Sequence, residues 1–185
     1  MVIEQMRKEL KIKSNMPTQS AKPHFTIIPY AEKYRDDMLF CFLSAKDAVG
    51  KYAPDGIDPK PHLRDDMLDI QSNYFERGNA FYLAIDDNDR VVGMLGTKMT
   101  AATELKLKRL FIKPELKGCG IGSKLLTKVE EYALGKGVTT LHTDFAYWYR
   151  EAARFYTAKG FTTADPLLDK EYCVHMVKKI GAIES

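Results

Sequence analysis

Leu107-Lys108-Arg109-Leu110-Phe111-Ile112-Lys113-Pro114-Glu115-Leu116-Lys117-Gly118-Cys119-Gly120-Ile121-Gly122-Ser123 decides how this chain is read. It begins as a strand, turns at a proline, passes through a glycine-rich corner and enters a helix. Glycines alternate at 118, 120 and 122, where that helix must begin. Each glycine inside a helix costs about 1 kcal/mol relative to alanine, so three at one helix start need a reason. A helix N-terminus presents unpaired backbone N–H groups and about half a unit of positive charge. Glycines let a phosphate approach those groups without meeting a Cβ. The corner reads as a pyrophosphate cradle; its plain alternative is a glycine-rich turn with no ligand.

Spacing narrows the kind of cradle. A Walker A loop requires Gly-Lys-Ser/Thr after the last glycine, and Gly122 is followed by Ser123-Lys124. A dinucleotide fingerprint requires Gly-x-Gly-x-x-Gly, and Ser123 stands where its third glycine would fall. Beyond the corner, Ile121, Leu125, Leu126, Val129, Tyr132 and Ala133 recur at helical spacing, and Gly135 and Gly137 end the run. Val138 to Phe145 is rich in β-branched residues and reads as a strand. Strand, helix, strand in this order implies a right-handed parallel crossover. Next comes Arg150-Glu151-Ala152-Ala153-Arg154-Phe155-Tyr156-Thr157-Ala158-Lys159-Gly160-Phe161.

These two stretches together resemble the signatures of the GNAT (Gcn5-related N-acetyltransferase) superfamily. Lys117-Gly118-Cys119-Gly120-Ile121-Gly122 is similar to Arg/Gln-x-x-Gly-x-Gly/Ala, with Lys117 in the Arg/Gln place. Ala152, Phe155, Tyr156, Gly160 and Phe161 match Asn-x-x-Ala-x-x-Phe/Leu-Tyr-x-x-x-Gly-Phe, with Tyr149 in the Asn place. The resemblance covers about residues 25 to 180. It implies an α/β fold built on a mixed, largely antiparallel sheet whose fourth and fifth strands are parallel and splay apart to hold acyl-CoA. The function it implies is direct transfer from acetyl-CoA, a co-substrate, to an amine. The implied cofactor-binding set is Leu110, Phe111, Ile112, Lys117, Gly118, Cys119, Gly120, Ile121, Gly122, Ser123, Tyr149, Ala152, Phe155 and Tyr156, with no metal.

The chemistry sets further demands. The amine must attack as the neutral base, the carbonyl oxygen gains negative charge, and the departing thiolate needs a proton. The resemblance gives the second of these roles to a backbone N–H at a bulge in the fourth strand, matched here by Leu110 to Ile112, and the third to Tyr156. A phenol of pKa near 10 can protonate a thiolate held within hydrogen-bond reach; packing on an apolar helix face is the other account of Tyr156. Several relatives carry a glutamate as general base two residues before Leu110, where this chain has Lys108. Glu104, Asp144 and His142 remain, or a water chain. A non-catalytic acyl-CoA-binding sensor is the rival reading, and Tyr156 is the residue a sensor would not need.

The rest of the chain frames that domain. Net charge is +3 with no long basic run, which gives no case for nucleic acid. Cys41, Cys119 and Cys173 are odd in number and scattered, implying neither disulfides nor zinc. No apolar run reaches membrane-spanning length, and Met1 to Leu10 is too charged for a secretory signal, so a cytoplasmic protein is expected. Residues 1–23 read as an appendage, weakly helical at Ile3, Met6 and Leu10, and residues 24–185 as the domain. Phe25 to Tyr30 reads as a strand, Ala31 to Val49 as a helix, Lys51 to Pro61 as a loop, and Leu63 to Arg77 as a second helix. Strands follow at Ala80 to Asp86, Arg90 to Thr100 and Leu105 to Lys113. Two more, Phe161 to Asp165 and Tyr172 to Ile180, flank a turn at Pro166-Leu167-Leu168-Asp169-Lys170. Asp55, Asp58, Asp65, Asp66 and Asp69 make the acceptor-side loop and helix acidic, which suits a cationic acceptor or simple helix capping. Tyr147, Trp148 and Tyr149 cluster after the fifth strand, to line an acceptor pocket or plug the core, and Cys119 could be a reactive thiol or a tolerated side chain. The acceptor expected is a small-molecule or peptide amine, with no nucleic acid or membrane partner and a homodimer left open.

Overall fold

The structure is a computed structural model that describes residues 23–53, 65–164 and 173–181. Strand β1 is Phe25–Pro29, β2 Phe81–Asp86, β3 Val91–Ala101, β4 Glu104–Ile112, β5 Thr140–Ala146, β6 Thr162–Thr163 and β7 Cys173–Lys179. They form one seven-stranded sheet in the order β1-β2-β3-β4-β5-β7-β6. Every neighbouring pair is antiparallel except β4 and β5. That single parallel pair requires a crossover, and helix α4, Ile121–Gly135, supplies it. The mixed sheet with parallel fourth and fifth strands is the one the sequence led us to expect.

Helices cover both faces. On one side α4 and helix α5, Arg150–Ala158, bury Leu105, Leu107, Leu125, Leu126, Val129, Leu141 and Tyr156 in one core. On the other, helix α1, Arg35–Gly50, and the residues after it bury Met38, Phe42, Met67, Ile70, Tyr74, Phe81, Leu83 and Met94 in a second. The alternation of Phe81, Leu83 and Ile85 with Tyr82 and Ala84 splits β2 between the two cores, as a period of two demands.

The second helix differs from expectation. It is broken into α2, Asp65–Leu68, and α3, Ile70–Asn73, followed by a short 3-10 turn at Phe75–Arg77. Asp69 makes the break. Its φ is −143° and its side chain accepts from Ser72 N at 2.9 Å, capping α3. Residues 1–22, most of the 51–61 loop and the turn at 166–170 lie outside the described residues.

Candidate functional site

β4 and β5 pair only through Glu104–Thr140, Leu105–Leu141 and Lys106–His142. Past that point β4 follows β3 and β5 follows β7, so the sheet opens into a wedge. At the same level β4 slips in register against β3: Gly96 faces Lys108, but Met94 faces Phe111. The extra residue makes a bulge at Arg109 and Leu110, neither of which has a partner on β3 or β5. Arg109 lies at φ +61°, a left-handed conformation that costs a non-glycine residue about 1–2 kcal/mol.

Its side chain explains why it stays there. Asp66 of α2 accepts from Arg109 Nη2 at 2.7 Å and Nε at 3.2 Å, from Lys108 Nζ at 3.2 Å and from the Tyr74 hydroxyl at 2.7 Å. Burial alone would raise the Asp66 carboxyl; the bonds from Arg109 and Tyr74 and the charges of Arg109 and Lys108 outweigh it and bring it down to about 2. Tyr74 is in turn packed where Gly96 leaves room, since a Cβ on Gly96 would meet its Cε1 at 2.7 Å. The bulge is therefore fixed from the helical layer above it. Sequence reading missed what Asp66 and Tyr74 do because Lys108 and Arg109 are 34 or more residues distant along the chain, outside any local pattern.

β4 leads into the glycine corner. Gly118 and Gly120 sit at φ +80° and +88°, and a Cβ built on either would meet nothing within 4 Å. Gly120 caps α4 without any side-chain hydrogen bond, and the first helical bond is Lys124 N to Gly120 O. The amides of Ile121, Gly122 and Ser123 precede the first helical bond and have no acceptor within the helix, as a pyrophosphate cradle requires. Gly122 serves a different purpose. A Cβ there would lie 3.3 Å from the Phe155 ring, so this glycine lets α4 and α5 pack. Cys119 is half-buried and unbridged. Lys117 reaches across to Glu151 of α5 at 2.5 Å.

α5 carries the second signature. Ala152 and Phe155 are half-buried beside the α4 start, and Tyr156 is buried. The Tyr156 ring stacks on Phe145 at 5.7 Å and meets Phe161 edge-on at 5.1 Å. Burial pushes its hydroxyl up to about 12, with Thr143 pulling the other way. Phe145 and Thr143 both belong to the part of β5 that has left β4, so the phenol stands at the wedge. Tyr149 precedes α5 and its hydroxyl accepts from Lys46 Nζ of α1 at 2.7 Å. Tyr147 and Trp148 stack edge-on on one another at 5.2 Å, with Tyr147 half exposed.

The remaining base candidates are sorted by their partners. Glu104 is exposed, and Asp144 is ion-paired to Lys106. His142 Nε2 lies 2.8 Å from Thr100 Oγ1, which is also 3.3 Å from Glu104 O, so the imidazole tautomer sets which of Nε2 and Oγ1 donates. The other ring nitrogen, Nδ1, is enclosed. Among the described residues it is the one buried side-chain N or O atom with no partner. Burial, then His175 and Lys106, hold this imidazole below its usual range. Of the acidic residues expected on the acceptor side, Asp66 is enclosed by cations, Asp69 is exposed and caps α3, Asp65 is exposed at the start of α2, and Asp55 and Asp58 lie outside the described residues.

Among the described residues, no helix is long and apolar enough to cross a membrane. The fold is shared with solved structures. An acetyltransferase of the GNAT family from Staphylococcus aureus superposes with a TM-score of 0.73 at 22% identity, covering 84% of this chain and 99% of that one. A paiA N-acetyltransferase from Thermoplasma acidophilum, solved in complex with coenzyme A, gives 0.72 at 18% identity, covering 85% and 99%. Among curated sequences, a probable N-acetyltransferase camello of Xenopus tropicalis is 32% identical over 101 residues, 54% of this chain and 46% of that protein. A thialysine N-epsilon-acetyltransferase of Bos taurus is 43% identical over 54 residues, 29% of this chain and 32% of that protein. The chain thus spans less than half the length of these curated relatives. A profile of the acetyltransferase (GNAT) family matches residues 38–161, a span that runs from α1 through the bulge and cradle to the end of the second signature, and on that match this chain belongs to the GNAT family.

Proposed function

We propose that this chain transfers an acetyl group from acetyl-CoA to the nitrogen of an amine. The observation that carries the reading is the wedge. One parallel pair parts just below a strained bulge, and the bulged strand leads to a helix start that has no side-chain cap and is preceded by uncrowded glycines at 118 and 120. Ile121 to Ser123 and Lys117 would hold the pyrophosphate, with Lys117 turning from Glu151. Acetyl-CoA supplies the activated thioester.

The chain's own groups then divide the work. The backbone N–H of Leu110, at the bulge held by the Asp66–Arg109 tie, donates to the carbonyl oxygen as it gains charge. In the transfer a nitrogen–carbon bond forms as a carbon–sulfur bond breaks, and one proton passes from the amine side to the departing sulfur. Tyr156, protonated at every physiological pH, donates to that sulfur. With its pKa near 12, full proton transfer is uphill by about 3.5 units against a thiol near 8.5, so donation matters most as charge develops. A second reading, an acyl-CoA-binding sensor, draws on the deep burial of Tyr156 and on Lys108 standing where relatives carry a glutamate.

Tyr156→Phe separates the two readings. It keeps the ring stacked on Phe145 and Phe161 and removes only the hydroxyl. The turnover number should fall about 10²-fold, with the Michaelis constant for acetyl-CoA little changed. Equal turnover in both proteins would remove Tyr156 from the mechanism.

A further inference from the structure

Resting on that transferase reading, the polar groups facing the wedge from the α1–α3 side bear on what the acceptor amine carries besides its nitrogen. Four cations stand there: Lys46 on α1 and Lys106, Lys108 and Arg109 on β4. Two carboxylates answer them. Asp144 pairs with Lys106, and Asp66 is shared between Lys108 and Arg109. Both of these carboxylates are therefore already matched; of the others on that side among the described residues, Asp65 and Glu104 are solvent-exposed.

Lys46 is in the opposite position. It is half-buried, and among the described residues its ammonium meets no carboxylate, only the Tyr149 hydroxyl at 2.7 Å. Of the other half-buried lysines, Lys106, Lys108 and Lys178 each hold one, whereas Lys113 and Lys159 hold none among the described residues. Lys46 lies one helical turn beyond Phe42, whose ring meets Phe111 of β4 edge-on at 5.0 Å. Tyr149 follows β5 and opens α5, the helix that bears Tyr156. The Lys46–Tyr149 contact therefore spans the open end of the wedge from its β4 side to its β5 side, and it presents an ammonium and a phenol with no anion between them. We propose that the acceptor is a primary amine that also carries a carboxylate, and that Lys46 and Tyr149 bind that carboxylate.

The same surplus of positive charge bears on the missing glutamate. Cations beside an ammonium disfavour its protonated form. An acceptor seated between Lys46 and the Lys108–Arg109 pair loses its proton more readily, so a strong base on β4 is less needed. Its carboxylate offsets the repulsion that a bare amine would meet.

The test uses matched acceptors with acetyl-CoA: lysine against cadaverine, phenylalanine against phenethylamine, and each amino acid against its methyl ester. The best acceptor should bear the carboxylate and lose tenfold or more in kcat/KM when it is removed or esterified, mostly through KM; charged hydrogen bonds have that weight. Lys46→Met should bring the ratio within each pair toward one, and Lys46→Arg should keep most of it. The wild-type ratio stands as a test even if Lys46→Met does not fold. A wild type that prefers the decarboxylated amines, or a ratio unaltered in folded Lys46→Met, overturns this inference and leaves the transferase reading intact. A protein that binds acetyl-CoA and acetylates no member of the panel overturns the transferase reading and this inference with it.

Discussion

Replacing Asp66 with Asn tests whether one side chain fixes the bulge. The amide imitates the protonated acid: it keeps the size and one acceptor oxygen but loses the charge that Arg109, Lys108 and the Tyr74 hydroxyl surround. The magnitude follows from the carboxyl's displacement from 3.8 to about 2. At 1.36 kcal/mol per unit, the charged form is favoured by about 2 kcal/mol in the folded protein. The Asp66 side chain is only 19% exposed, so solvent screening leaves most of that in place. Asp66→Asn should therefore lose about 2 kcal/mol in urea unfolding at pH 7, or roughly 4–8 °C in Tm for a chain of this size. The pH dependence has a definite sign. A folded pKa below the unfolded one stabilises at pH above about 4, and the contribution disappears as pH falls through about 2. The gap between wild type and variant should thus be full at pH 7 and reduced to about half at pH 3. No gap at pH 7, or one of equal size at pH 3, would show that the Asp66 charge does not hold this corner.

Two further substitutions probe the cradle and the packing beneath the bulge. Ser123→Glu places a carboxylate in the first turn of α4, where it should raise stability by about 0.3–1 kcal/mol through the helix dipole. The same carboxylate should weaken acetyl-CoA binding at least tenfold by calorimetry; an unchanged affinity would move the pyrophosphate elsewhere. Gly96→Ala should cost about 1–3 kcal/mol, because its Cβ would press on Tyr74 and Phe81 at 2.7 and 2.8 Å; a neutral result in thermal melts would mean the Tyr74 ring moves aside freely.

What the sequence made legible was local or periodic. The glycine corner and the α4 stripe of Leu125, Leu126 and Val129 each repeat within a few residues and implied the parallel crossover, while the mixed sheet around it came from the family resemblance that the two motifs carry. The break at Asp69 was written in the sequence too: an Asp three residues before Ser72 is an N-cap pattern, hidden by the apolar spacing that runs across it. Gly122 looked like its two neighbours, but only the position of Phe155, 33 residues later, separates a packing glycine from a phosphate-facing one. Lys46 and Tyr149 are 103 residues apart, and Asp66 is 43 from Arg109. Such contacts depend on how two helices land on a sheet. No local spacing encodes them.

The central claim is acetyl transfer at the wedge, and the release of coenzyme A thiol measures it most directly. Purified protein with acetyl-CoA and an amine panel should release thiol in strict dependence on both substrates, with one N-acetylated product by mass spectrometry for each thiol formed. Acetyl-CoA that binds in calorimetry yet yields no thiol above the amine-free rate with any acceptor would contradict the account.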